Sequence, residues 1–130
     1  MASTNLKEFN AGVRQFAREN PAHFKIGRDK LALQGLTGVV KKSPVDTGRF
    51  RGNHQVTEGA AASGEVEALD TNGSTTIANG SAAIARAEPF GVVYITNNLP
   101  YAEALENGHS RQAPAGIYEL TFQELVTQFG

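Results

Sequence analysis

From Gly59 to Ala85 the chain consists mostly of Ala, Gly, Ser and Thr, and large side chains are nearly absent. Such a stretch removes little apolar surface from water, so a hydrophobic core has to come from the two flanks. It reads as a long flexible loop or hairpin arm over 59–89. With 130 residues the chain makes one compact domain and is too short for two ordinary ones. The expected layout is helical over 1–42, turn and strand over 43–58, arm over 59–89, and strand, short helix and closing helix over 90–130.

The N-terminal flank is helical by periodicity. Leu6, Phe9, Val13, Phe16 and Ala17 recur at three- and four-residue spacing and predict an amphipathic helix over 4–19. Asn20-Pro21 ends it, because proline disfavours a helical residue before it. A second helix starts near Pro21 and runs to about Lys42, with Phe24, Leu31, Leu36, Val39 and Val40 as its apolar positions. Gly27, Gly35 and Gly38 weaken it or allow close packing. Lys41 and Lys42 suit a helix C-terminus, where the macrodipole favours cations.

Ser43-Pro44 breaks the pattern, and Val45-Asp46-Thr47-Gly48 is turn chemistry, with Asp46 bonding forward to the backbone. Residues 49–58 read as a strand, and a second is placed around Gly64–Leu69. The clearest strand is Val92–Thr96. Asn97-Asn98-Leu99-Pro100 turns the chain, and Tyr101–Glu106 makes a short helix stopped by Asn107-Gly108. After Pro114 a final helix carries Tyr118, Phe122, Leu125 and Phe129 on one face, and the aromatics on helical stripes, Phe9, Phe16, Phe122 and Phe129, are expected in the core. Strands segregated from helices predict an α+β domain, a small antiparallel sheet packed against N- and C-terminal helices with a long flexible arm.

The net charge of −1 conceals an asymmetry. Residues 1–51 hold ten Lys/Arg and four Asp/Glu, whereas 52–130 hold two and nine. Both halves are solvated faces, or a basic face of one copy meets an acidic face of the next, a contact that closes into rings when the rotation allows. A chain without Cys has no disulfide framework and no thiolate chemistry. No secretion signal or membrane-spanning run is read in it, so a protein made in the cytoplasm is expected, with no membrane partner.

Nucleophile-elbow, phosphate-loop and zincin motifs are missing. The one polar constellation with metal-binding chemistry is Glu103, Glu106 and His109, but no fourth ligand accompanies them and paired glutamates on a short helix usually face solvent. No catalytic residue, metal or cofactor is expected.

Two stretches, SPVDTGRFRGN at 43–53 and VVYITNNLPYAEALENGHSRQAPAGIYELT at 92–121, together resemble the tail-completion or neck protein family of long-tailed phages, also described as minor tail or head–tail joining proteins. The resemblance rests on Ser43-Pro44-Val45-Asp46-Thr47-Gly48, then Asn97, Pro100-Tyr101-Ala102, Glu106 with Asn107-Gly108-His109-Ser110, and Ala113-Pro114-Ala115-Gly116. It implies a virion subunit at the neck that forms a homo-oligomeric ring, six-fold like the tail. The ring would cap the tail tube and dock on the head connector or stopper, while genomic DNA passes through without specific binding. An acidic arm over 59–85 would suit a channel lining, since affinity for DNA comes from Lys/Arg on phosphates. Asp46, Arg49, Arg51, Asn97, Tyr101, Glu106, His109 and Arg111 are the expected subunit-interface residues; the alternative for 97–116 is that it only closes the sheet edge.

Two other functions compete. A DNA-binding module would use Arg14, Arg18, Lys25, Arg28 and Lys30 of the basic half. A metal-dependent hydrolase would use Glu103, Glu106 and His109.

Overall fold

The structure is a computed structural model that describes residues 21–107 and 116–129. The helix expected over 4–19 lies outside the described residues. Helix α1 (Pro21–Lys42) is followed by one helical turn, α2 (Arg49–Gly52), and by strand β1 (Gln55–Glu58). Helix α3 (Ser74–Arg86), strand β2 (Val93–Thr96), short helix α4 (Ala102–Glu106) and helix α5 (Tyr118–Phe129) complete the order. β1 and β2 pair antiparallel, from Gln55 opposite Thr96 to Glu58 opposite Val93. The small α+β fold expected from the sequence is therefore present.

Helix α1 runs through the middle of the domain and packs on both α3 and α5, while α3 also packs on β1. Its buried residues Gly35, Leu36, Val39 and Val40 serve two cores. Leu36 and Val40 join Ile84, with Val56, Val93 and Ile95 of the sheet packed against them. Val39 joins Phe50, Leu99 and Ile117. The strands' period of two turns Val56, Val93 and Ile95 toward α1, while Tyr94 on the other face is exposed.

The stretch 59–89 is not loop throughout. Its second half is α3, a helix of 13 residues. Ala favours helix more than any other residue. Thr76, Gly80 and Ile84, spaced by four, are the buried stripe. A Cβ on Gly80 would stand 2.2 Å from Leu36 Cδ2 and 2.9 Å from Val56 Cγ2, so only a glycine lets α3 lie this close to α1 and the sheet. The first half is irregular and held by amide side chains. Asn53 Oδ1 accepts the Val66 N–H at 2.9 Å, and its Nδ2 donates to Val66 O at 3.1 Å and Arg49 O at 2.7 Å. Gln55 Nε2 donates to Gly64 O, and Asn98 Nδ2 donates to Ala62 O and Gly64 O.

Three further expectations are corrected. Residues 49–52 form a helical turn instead of strand, because Gly48 at φ 86° redirects the chain and Gly52 N–H donates to Gly48 O. Residues 64–69 are not a strand; Asn53 supplies their pairing in place of a neighbouring backbone. On α5 the inward residue is Thr121, 4% exposed, whereas Phe122 is 61% exposed. Thr121 lies against Gly38 of α1, whose added Cβ would stand 2.7 Å from Thr121 Cγ2. That small-on-small contact sets the rotation of α5 and turns the next residue, Phe122, outward.

Candidate interaction site

The two stretches that carry the resemblance are about forty residues apart in sequence and meet in space. Asn97 Nδ2 donates to Phe50 O at 3.0 Å, while its Oδ1 accepts the Leu99 N–H and shapes the turn after β2. The rings of Phe50 and Tyr101 lie 6.0 Å apart. Between the Ser43–Gly48 turn and α4 runs an open cleft lined by Pro44, Asp46, Arg49, Phe50, Tyr101 and Leu105. Phe50 is buried, and Asp46, Arg49 and Tyr101 are exposed.

The turn itself is fixed from below. Gly48 has φ 86°, and a Cβ there would stand 2.7 Å from the Asp70 backbone, so position 48 accepts only glycine without strain. Asp70 N–H donates to Gly48 O. The local side-chain bond within the turn belongs to Thr47, whose Oγ1 accepts the Arg49 N–H, and Asp46 remains exposed. Asp70 does the work the sequence suggested for Asp46. Its Oδ2 accepts the N–H and the hydroxyl of Thr76, both at 2.7 Å, and its Oδ1 accepts the Gly73 N–H. Burial pushes the Asp70 carboxyl up, but the bonds from Thr76 and Gly73 and the Arg51 charge outweigh it, so the group titrates below its ordinary range.

Arg51 is turned inward. It donates to Ser43 O at the C-terminus of α1 and to Thr71 O before α3, both at 2.8 Å. Arg49 instead reaches an exposed partner, Glu65, at 2.7 Å.

Glu106 is committed to another helix. Its Oε1 accepts the N–H groups of Ile117 and Tyr118, and its Oε2 that of Glu119, at 2.8–3.2 Å. These are orphan donors of α5, satisfied from outside in the manner of a cap. Glu103 is exposed on α4. His109 and Arg111 lie outside the described residues, and among those described no group of three His, Asp or Glu is placed to hold a metal.

A second polar constellation escaped the sequence reading. Ser43 Oγ lies 2.5 Å from His54 Nε2, and His54 Nδ1 lies 2.8 Å from the Tyr118 hydroxyl. A serine beside a histidine invites a nucleophile reading, but the bonds run the wrong way. Ser43 Oγ already donates to Val39 O at 2.6 Å. It must therefore accept from His54 Nε2–H, which leaves Nδ1 to accept the Tyr118 proton. The chain Tyr118, His54, Ser43, Val39 carbonyl has every donor pointing in one direction. His54 and Ser43 are 4% and 3% exposed, out of reach of a substrate. Burial, with the Arg51 charge second, lowers the His54 pKa to about 3 and keeps the ring neutral. No spacing rule joins residues 43, 54 and 118; only the fold does.

Two of the basic residues of the first half, Lys25 and Arg28, are spent on the chain's own carbonyls. Lys25 donates to Ile84 O and Ala85 O at the C-terminus of α3. Arg28 donates to Ala87 O, Glu88 O and Gly91 O just beyond it. Cations belong at that end of a helix dipole. Asp29 bonds both side chains, and Lys42 pairs with Glu124 at 2.5 Å. Arg14 and Arg18 lie outside the described residues. No helix among those described is long and apolar enough to cross a membrane.

Comparison with known proteins finds no matching family model, no matching curated protein and no matching solved structure.

Proposed function

We propose that this protein is a structural subunit of a tailed-phage virion, not an enzyme, and that it forms a homo-oligomeric ring at the neck. The ring, six-fold like the tail, completes the tail tube and joins it to the head connector, and genomic DNA passes through without specific binding. The observation that carries this reading is the meeting of the two resembling stretches in one exposed cleft. There Asp46, Arg49 and Tyr101 are presented on a backbone fixed by Gly48, Asn97 and Phe50. Tyr and Arg are favoured at interface cores. An acidic and a basic group on the same rim suit a head-to-tail contact between copies. The channel-lining role of a mobile 59–85 arm is not retained, because α3 and the amide bonds to 62–66 hold that stretch to the domain. The DNA-binding alternative loses support because Lys25 and Arg28 grip the end of α3.

The test is the mass of the purified protein by light scattering, alone and with purified tail tubes, for the native chain and for Asp46→Arg/Tyr101→Ala. A discrete ring, or tube-bound protein that stops tube growth, is expected for the native chain and is lost in the variant. A native chain that stays monomeric and ignores tubes overturns the reading.

A further inference from the structure

Among the described residues the sheet has two strands, and the outer edge of β1 opens into a cavity. Gly59 N–H donates to Val92 O, which in the antiparallel register directs the backbone groups of Gln55, Thr57 and Gly59 toward β2. The N–H and C=O of Val56 therefore point the other way, and among the described residues nothing bonds them. They face a cavity of about 490 Å³ between two walls. One wall is Val66, Ala68 and Leu69; the other is Thr76, Asn79 and Gly80 of α3. Leu69 is 71% exposed. The Asn79 side chain is exposed too, and its amide has no hydrogen bond among the described residues.

We propose that this slot takes an extended segment of another protein, which adds to β1 as a third strand. An unpaired strand edge is a template for a further strand, and natural folds cover or blunt it. The edge of β1 is recessed between its two walls instead. Main-chain bonds to Val56 give affinity, and side chains alternating between the walls give selectivity. Val66, Ala68 and Leu69 suit an aliphatic side chain, whereas the Asn79 amide suits a polar one. Charge narrows the partner further. Residues 52–85 hold Glu58, Glu65, Glu67 and Asp70 and no Lys or Arg. Arg49 pairs with Glu65, and the Arg51 charge offsets Asp70. Glu58 and Glu67 have no ion-pair partner among the described residues, and they favour a segment flanked by Lys or Arg. A second copy does not fit. Its own strand β2 carries α1 packed beneath it, and a strand backed by a helix does not enter between α3 and the 66–69 wall. The inference does not rest on the neck reading.

The full-length protein, isotopically labelled, is titrated by NMR with an end-blocked peptide of alternating valine and threonine flanked by lysines. The expected result is saturable binding that moves the amide signals of Val56, Leu69 and Asn79 and slows hydrogen exchange at Val56 about tenfold. A matched peptide with proline at its centre, which lacks one strand donor, and a glutamate-flanked peptide each bind about tenfold more weakly. Asn79→Trp, at an exposed position of α3, fills the slot and weakens the lysine-flanked peptide about tenfold with circular dichroism unchanged. Leu69→Lys, on the other wall, weakens it by repulsion. An unmoved Val56 signal at millimolar peptide overturns the proposal. Equal binding of the proline peptide overturns it as well, since the slot would then be an apolar pocket and not a strand edge. A Val56 signal that moves with protein concentration alone overturns it too, and gives the edge to a second copy.

Discussion

His54 holds a single proton, on Nε2, and the identity of its neighbours fixes that choice. Tyr118 donates to one ring nitrogen and Ser43 accepts from the other, then passes the polarity to the Val39 carbonyl at the end of α1. Tyr118→Phe removes the donor and leaves Nδ1 buried and unpaired, which costs ~1–3 kcal/mol. Urea unfolding of the variant checks this, and unchanged stability would mean that Nδ1 finds another donor. Asp70 is a second residue with more than one duty, capping α3 through Gly73 and Thr76 while its backbone holds Gly48. Asp70→Ala is expected to lower stability by ~1–2 kcal/mol, the usual value of a helix cap. It should also reduce helical circular dichroism through fraying of α3; a loss of stability with full helicity would place its effect in the turn instead.

Among the elements, α3 shows what a one-dimensional reading discards. Large apolar side chains identify α1, β2 and α5, and those were legible from their spacing. Ile77, Gly80 and Ile84 sit at helical intervals too, but with Ala and Ser between them they look like linker composition. Gly80 is where Leu36 enters, and a small residue is what such close contact requires. Gly80→Ala therefore sets two effects against each other. Helix propensity gains ~1 kcal/mol, and overpacking costs ~1–3 kcal/mol. Leu36 is fully buried and cannot swing away, so overpacking wins. A net loss in a urea titration is expected, and a gain would show that the α1–α3 seam relaxes. The buried face of α5 departs from its apolar spacing for a related reason, since Phe122 outranks Thr121 in hydrophobicity but only Thr121 fits over Gly38. The candidate cleft was legible as two motifs. Their meeting was not, because it depends on Asn97 reaching Phe50 across a fold that no local pattern encodes.

For the molecule as a whole, the buried neutral imidazole sets the acid limit. Unfolded, His54 takes up a proton near its ordinary value of 6.5; folded, it resists until about 3. The unfolded state thus binds the extra proton between those values. Stability is complete above pH 6.5 and falls as pH drops through the window, by up to about 1.4 kcal/mol per unit. Asp29 and Asp70, both lowered in the fold, withdraw their contributions as pH falls below 3.8, in the same direction. Urea midpoints at pH 7, 6, 5 and 4 should decline steadily, and a flat series would mean that His54 charges in place. A different constraint comes from Glu106. By holding the first N–H groups of α5, while Gly116 at φ 88° lies too close to Glu106 O to admit a side chain, it buttons the two ends of the intervening segment together. Two helices gripped through one carboxylate act as a single bracket, so a load that reaches α4 is handed to α5 at Glu106.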